Sequence, residues 1–164
     1  MFTISTKLIK LHYLVIPLVT LSVAIVGGFI TKSGMSWYKT IKLPKWTPPG
    51  KFIGTVWTII FILSTISAII FWNNSQRNGL FWFIFAFFVF NAVLNVLWSF
   101  LFFRLHLIGE SLVEVFVLGA SVAVLIISIW PVSKIASILL FPYLAWLCVA
   151  GSLNYKIYKI NRLI

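Results

Sequence analysis

Apolar positions along this chain neither alternate nor fall into narrow amphipathic stripes; they run on continuously in five blocks, 11–30, 52–72, 80–103, 108–130 and 135–158. Each block reaches the length, about 20 residues, that a helix rising about 1.5 Å per residue needs to cross a hydrocarbon layer roughly 30 Å thick. Transmembrane strands would alternate with a two-residue period, and an open sheet in lipid would leave backbone groups unpaired. The pattern therefore predicts an all-α integral membrane protein. Its form is a five-transmembrane-helix bundle, one domain over 1–164, with a long lid loop at 31–51 between the first and second spans. The first block, preceded by Lys7 and Lys10, has the outline of a secretory signal. Its apolar run is too long for one, and Gly27-Gly28-Phe29-Ile30 is a poor cleavage site, so it is read as the first span.

Composition sharpens this picture. Hydrophobic residues make up 62% of the chain, the mean hydropathy is +1.09 and only 9% of residues are charged, which excludes an ordinary soluble domain. A net charge of +11 would suggest nucleic acid on a soluble protein. Here the bases sit at span ends among aromatic residues, and no nucleic-acid partner is expected. They report orientation instead: Lys7, Lys10, Arg77 and Lys134 fall on one side, and Lys32, Lys39, Lys42, Lys45, Lys51, Arg104, Lys156, Lys159 and Arg162 on the other. Cytoplasmic loops carry the excess of Lys and Arg, so the N-terminus is expected outside and the C-terminus in the cytoplasm. Cys148 is the only cysteine, so no intramolecular disulfide forms.

Polar residues inside spans are costly and therefore informative. Asn91, Asn95 and Trp98 share a face of the third span, and an amide-bearing face is expected to look inward. Trp57 and Phe61 form a stripe on the second span, and Trp146, Ala150 and Asn154 one on the fifth. These stripes either line one flat-walled aromatic cavity or pack against each other. The 31–51 segment holds Trp37, Tyr38, Pro44, Trp46, Pro48 and Pro49. It is either a lid over one mouth of the bundle or an interfacial aromatic belt. Thr47 is placed to cap the second span, with a proline in its first turn. Glu110 and Glu114, the only acids, stand four apart at the start of the fourth span. Dipole stabilisation and pairing with Arg104 or a loop lysine is the favoured reading, with a proton-coupled small-molecule transporter using Glu114 as the alternative. The pairs Ala24/Gly28 and Gly119/Ala123 permit close helix approach, either within the bundle or in a dimer. His12 and His106 stand apart from any metal-ligand spacing, and no metal site, nucleophile-base pair or phosphate loop is present, so no cofactor is required.

Several segments carry a resemblance: Trp37-Tyr38, then Leu43-Pro44-Lys45-Trp46-Thr47-Pro48-Pro49, Gly54-Thr55-Val56-Trp57, Leu94-Asn95-Val96-Leu97-Trp98 with Phe102-Phe103, Pro142-Tyr143-Leu144-Ala145-Trp146, and Leu153-Asn154-Tyr155. Together they resemble the signature of the TspO/MBR family of tryptophan-rich sensory proteins, which includes the mitochondrial translocator protein or peripheral-type benzodiazepine receptor. The resemblance implies a five-helix bundle, often a homodimer, in a bacterial cell membrane. It also implies a pocket beneath the first loop for tetrapyrroles such as protoporphyrin IX, for sterols and for benzodiazepine-type drugs, serving sensing, transport or disposal. By position, the pocket residues would be Tyr38, Pro48, Ile53, Trp57, Phe61, Asn91, Leu94, Asn95, Trp98, Trp146 and Ala150. Loop lysines such as Lys42, Lys45 or Lys51 would meet porphyrin propionates. In bacterial relatives the tryptophans matching Trp57 and Trp146 are tied to light-dependent breakdown of protoporphyrin IX, so a light- and oxygen-dependent porphyrin-degrading enzyme is the alternative activity. The chain departs from the family pattern at Leu43, usually lysine, and at Glu114, usually aspartate. A weak sterol-type pattern fits Leu153, Tyr155 and Lys159.

Overall fold

A computed structural model describes residues 4–162, with side chains described for 11–162; the side chains of Lys7 and Lys10, part of the charge count, lie outside the described residues. The helices are α1 (Ile4–Ser33), α2 (Met35–Tyr38), α3 (Gly50–Asn74), α4 (Gly79–Ser99), α5 (Ile108–Ile129), α6 (Lys134–Ile138) and α7 (Phe141–Asn161), with a π-helical turn at Phe100–Arg104 continuing α4. Among the described residues there is no strand, and five spans are long and apolar enough to cross a membrane: Leu11–Ser33, Gly50–Asn74, Gly79–Arg104, Ile108–Ile129 and Lys134–Asn161.

Three local features depart from the sequence expectation. The fifth span is two helices, because Pro142 has no amide hydrogen and its ring excludes the carbonyl four residues earlier; the chain turns at Leu139 and Leu140 and restarts with Pro142 in the first turn of α7. The 31–51 segment is not all loop: α1 runs on to Ser33 and α2 adds a further turn. Thr47 does not cap α3. Its hydroxyl donates to the Pro44 carbonyl at 2.7 Å, closing a turn, while extended Pro49 takes the N-cap position and the helix starts two residues later than a Thr47 cap requires.

The bundle is a ring in which α1 packs on α3 and α4, α4 on α5, and α5 on α7. α5 is the most enclosed span, with Ser111, Val115, Leu118, Val122, Leu125 and Ile129 buried along one stripe at helical spacing. The outward residues are large and apolar: Phe29, Phe116 and Ile127 are each more than half exposed. In water that would be an aggregation surface, whereas against lipid it is the surface expected. Polar groups tie the inside instead. The Ser67 hydroxyl donates to Ala136 O at 2.7 Å and the Ser137 hydroxyl to Ile126 O at 2.6 Å.

The ring closes unevenly. α3 meets the fifth span mainly through α6, at the end remote from the 39–49 loop, and touches α7 sparsely. α3 and α7 therefore diverge toward the loop end, where space opens between them. The loop is fastened across that end by Asn161 in the last turn of α7. Its Oδ1 accepts from the Lys42 amide at 3.0 Å, and its Nδ2 donates to the Lys42 carbonyl at 3.0 Å.

Candidate ligand-binding site

The space left by that divergence is a cavity of about 580 Å3 at the loop end of the bundle, within the roughly 300–1,000 Å3 typical of small-molecule sites. It extends along α3 from Gly50 to Phe61 and along α1 from Lys32 to Val23. From Gly50 to Phe61 is about 16 Å along α3, or half the hydrocarbon thickness.

Each wall follows from helical spacing. α3 contributes Ile53, Trp57 and Phe61 at intervals of four, the last two rings 5.7 Å apart. α4 contributes Asn95 and Trp98, and α7 contributes Trp146, Ala150 and Asn154. The rings are held from behind. Asn95 Nδ2 donates to the Tyr143 hydroxyl at 2.9 Å, and the Tyr143 ring stands edge-on to Trp57 at 5.8 Å. Trp98 stacks on Phe102 at 5.2 Å with an 11° interplanar angle, and Phe102 packs in turn on Tyr38 and Trp37. Trp146 lies beside Phe52, centroids 6.2 Å apart. Asn154 is 2% exposed and its Nδ2 donates to Ser111 Oγ at 3.1 Å. The amides thus serve largely as helix-to-helix ties, and the indole nitrogens of Trp98 and Trp146 are buried without a protein partner among the described residues. What remains facing the space is mainly aromatic and aliphatic carbon, suited to a flat apolar guest.

Of the residues expected at a pocket, Tyr38, Ile53, Trp57, Phe61, Asn95, Trp98, Trp146 and Ala150 line this one cavity, and Pro48, Asn91 and Leu94 do not. Asn91 is one turn deeper than Asn95 and donates to Ser121 Oγ at 2.8 Å, within the α4–α5 contact. Leu94 is buried in the main apolar core. Pro48 stays in the loop, and Lys42, Lys45 and Lys51 are likewise off the wall. Sequence reasoning missed the α1 wall, where Ala24, Gly28 and Lys32 share a stripe, together with Leu153 and Ile157 on α7. Ala24 and Gly28 resembled a helix-approach pair, yet a Cβ built on Gly28 meets nothing within 4 Å. Gly119 is equally open within the chain, so neither pair serves a close approach inside the bundle.

The charged residues divide sharply. Among the described residues, Lys32 is the only charged side chain on the wall. Burial raises the Tyr38 phenol above its ordinary pKa, keeping it neutral at physiological pH. Glu114 is 5% exposed, both carboxyl oxygens lack a hydrogen-bond partner among the described residues, and it is not on the wall. The expected pairing of Glu114 with Arg104 or a loop lysine is therefore absent, because the side chain is turned into the bundle, away from the loop-end bases. His12 is buried at the remote end, stacked on Trp72 at 5.5 Å. Among the described residues no three His, Cys, Asp or Glu side chains cluster as a metal site would require.

These features define a multi-pass membrane protein of five spans around one aromatic cavity open toward a basic face. The model of the TspO/MBR family matches residues 15–159, and the chain belongs to that family. It is 37% identical over 150 residues to the tryptophan-rich protein TspO of Archaeoglobus fulgidus, covering 88% of this chain and 93% of that protein. It is 32% identical over 127 residues to TspO of Bacillus cereus, covering 77% and 81%. With the human translocator protein it shares 27% identity over 142 residues, covering 82% and 80%.

Proposed function

We propose that this protein binds a tetrapyrrole such as protoporphyrin IX in the α1–α3–α4–α7 cavity, as a step in sensing, transport or disposal of such molecules. The supporting observation is the convergence of Trp57, Trp98 and Trp146 on one apolar space with hydrogen-bonded residues behind them. Rings clamped in this way give stacking area at little further entropic cost, which favours a rigid planar ligand. The test is titration of the detergent-purified protein with protoporphyrin IX, following tryptophan quenching and the Soret band. Saturable quenching with a shifted Soret band is expected; a response no different from that of free detergent removes the reading. Because Trp57 and Trp146 stand on the same cavity, the titrated sample also tests ring opening under light. A Soret band that bleaches faster than that of free porphyrin adds that activity, and an equal rate excludes it.

The 39–49 loop acts as the lid of this site, and its fastening gives a separate prediction. Asn161→Ala removes both hydrogen bonds to the Lys42 backbone without touching the wall. Two exposed bonds contribute about 1–2 kcal/mol together. Stopped-flow quenching is expected to show porphyrin release accelerated by roughly five- to thirtyfold, with a smaller change in the equilibrium constant. Unchanged release kinetics would mean that the ligand leaves by another route.

A further inference from the structure

The cavity is apolar on nearly every side, yet one cation, the exposed Lys32, borders it. Lys32, in the last turn of α1, lies on the wall four residues from Gly28 and eight from Ala24, so the three share a stripe. Below Lys32 that stripe carries almost no side chain: a Cβ on Gly28 has no neighbour within 4 Å. Across from it, α3 carries Gly50 and Gly54, equally free of neighbours, beside the rings of Trp57 and Phe61. The cavity thus lies between the bare α1 stripe and those rings, with Lys32 one turn beyond Gly28 on the same stripe.

Nothing on the wall neutralises this charge. The whole chain has two acids; Glu114 is buried off the wall, and Glu110, in the first turn of α5, is not on it either. The loop end adds Lys39, Lys42, Lys45, Lys51, Lys156 and Lys159 against a single exposed acid there, Glu110, and that excess draws anions toward the mouth. A lysine in this position can lay its stem along apolar surface and keep its head in water.

We infer that Lys32 is the specificity-determining residue of the cavity, selecting flat apolar ligands that carry a carboxylate at one edge over their neutral counterparts. This rests on the cavity being the ligand site. The body provides most of the affinity by stacking; the carboxylate, held at the mouth by Lys32, fixes which end enters first and rejects esters and hydrocarbons of the same shape.

The test uses full-length protein in nanodiscs of neutral phosphatidylcholine, with 1-pyrenebutyric acid and its methyl ester as probes, read by energy transfer from tryptophan and corrected against empty nanodiscs. Wild type is expected to prefer the acid by about tenfold, which is about 1.4 kcal/mol. Lys32→Met should bring the two probes level by weakening the acid alone, Lys32→Arg should restore the preference, and Lys134→Met, an exposed lysine on α6 at the remote end and off the wall, should leave it unchanged. Equal affinity for both probes in wild type, or a preference that survives Lys32→Met, overturns the assignment while leaving the cavity intact as a binding site. Absence of binding by either probe overturns the cavity reading and the assignment together.

Discussion

Gly34→Ala is expected to lower the apparent melting temperature of the purified protein by roughly 6–12 °C at fixed detergent and protein concentration. Gly34 lies between α1 and α2, where the chain passes directly against the π-helical turn after α4. An added Cβ would collide with the backbone carbonyl of Phe103 and come within 2.8 Å of its Cβ. The colliding atoms are backbone, so no rotamer change relieves the clash, and the segments must separate. Overpacking of this kind costs about 3 kcal/mol at the upper end, and each kcal/mol shifts the midpoint by roughly 2–4 °C for a chain of this size. The separation also displaces Tyr38, four residues on, from its packing on Phe102 and Phe103, so ligand affinity should fall as well. Gly28→Ala is the internal control: its Cβ enters open space, and alanine is the better helix former by up to about 1 kcal/mol. Its melting temperature should stay level or rise. Equal losses in the two variants would show that the approach at Phe103 is not what makes glycine necessary at position 34.

That contrast also marks what a sequence carries and what it does not. Five continuous apolar runs identify five spans because hydrocarbon thickness dictates length and backbone satisfaction dictates helix. Spacing identifies faces equally well: Trp57 with Phe61, Asn95 with Trp98, and Trp146 with Ala150 do share a cavity. Spacing says nothing about depth, however. Asn91 occupies the same face as Asn95, yet one turn further in the cavity has ended and α5 offers Ser121 as a partner. Nor does a small residue declare what fills the space it leaves. Gly34 meets backbone and Gly28 meets nothing, although it is Gly28 whose spacing from Ala24 suggests close helix approach. The π-helical turn, in which the Leu105 amide reaches the Phe100 carbonyl five residues back at 3.0 Å, is invisible to hydropathy, and it is part of what carries Phe102 and Phe103 under Trp37 and Tyr38. Lys32 enters the sequence reading only as one of the bases that report orientation, because its place on the cavity wall depends on which helices diverge beside it.

Replacing both Trp57 and Trp146 by alanine is expected to weaken protoporphyrin IX binding about thirtyfold, or about 2 kcal/mol, with each single variant near fivefold. The basis is the loss of two stacking surfaces on adjacent walls, each contributing about 0.5–1.5 kcal/mol beyond the area it buries. The protein should tolerate the change better than a packed core would, because both rings border space already empty and the Trp146 indole nitrogen gives up no hydrogen bond within the protein. Removing two of eight tryptophans leaves six emitters, but the quenching amplitude will drop for that reason alone, so the Soret shift is the measure of affinity. A second pair, Trp57→Leu with Trp146→Leu, separates flatness from greasiness: it restores apolar bulk without an aromatic face. Recovery of full affinity in the leucine pair would mean that the ligand is held by exclusion from water and not by stacking. Wild-type affinity in the alanine pair would be the more damaging result. It would place the porphyrin outside the α3–α7 divergence, and the cavity would then be a packing consequence of the Pro142 break that a ligand never enters.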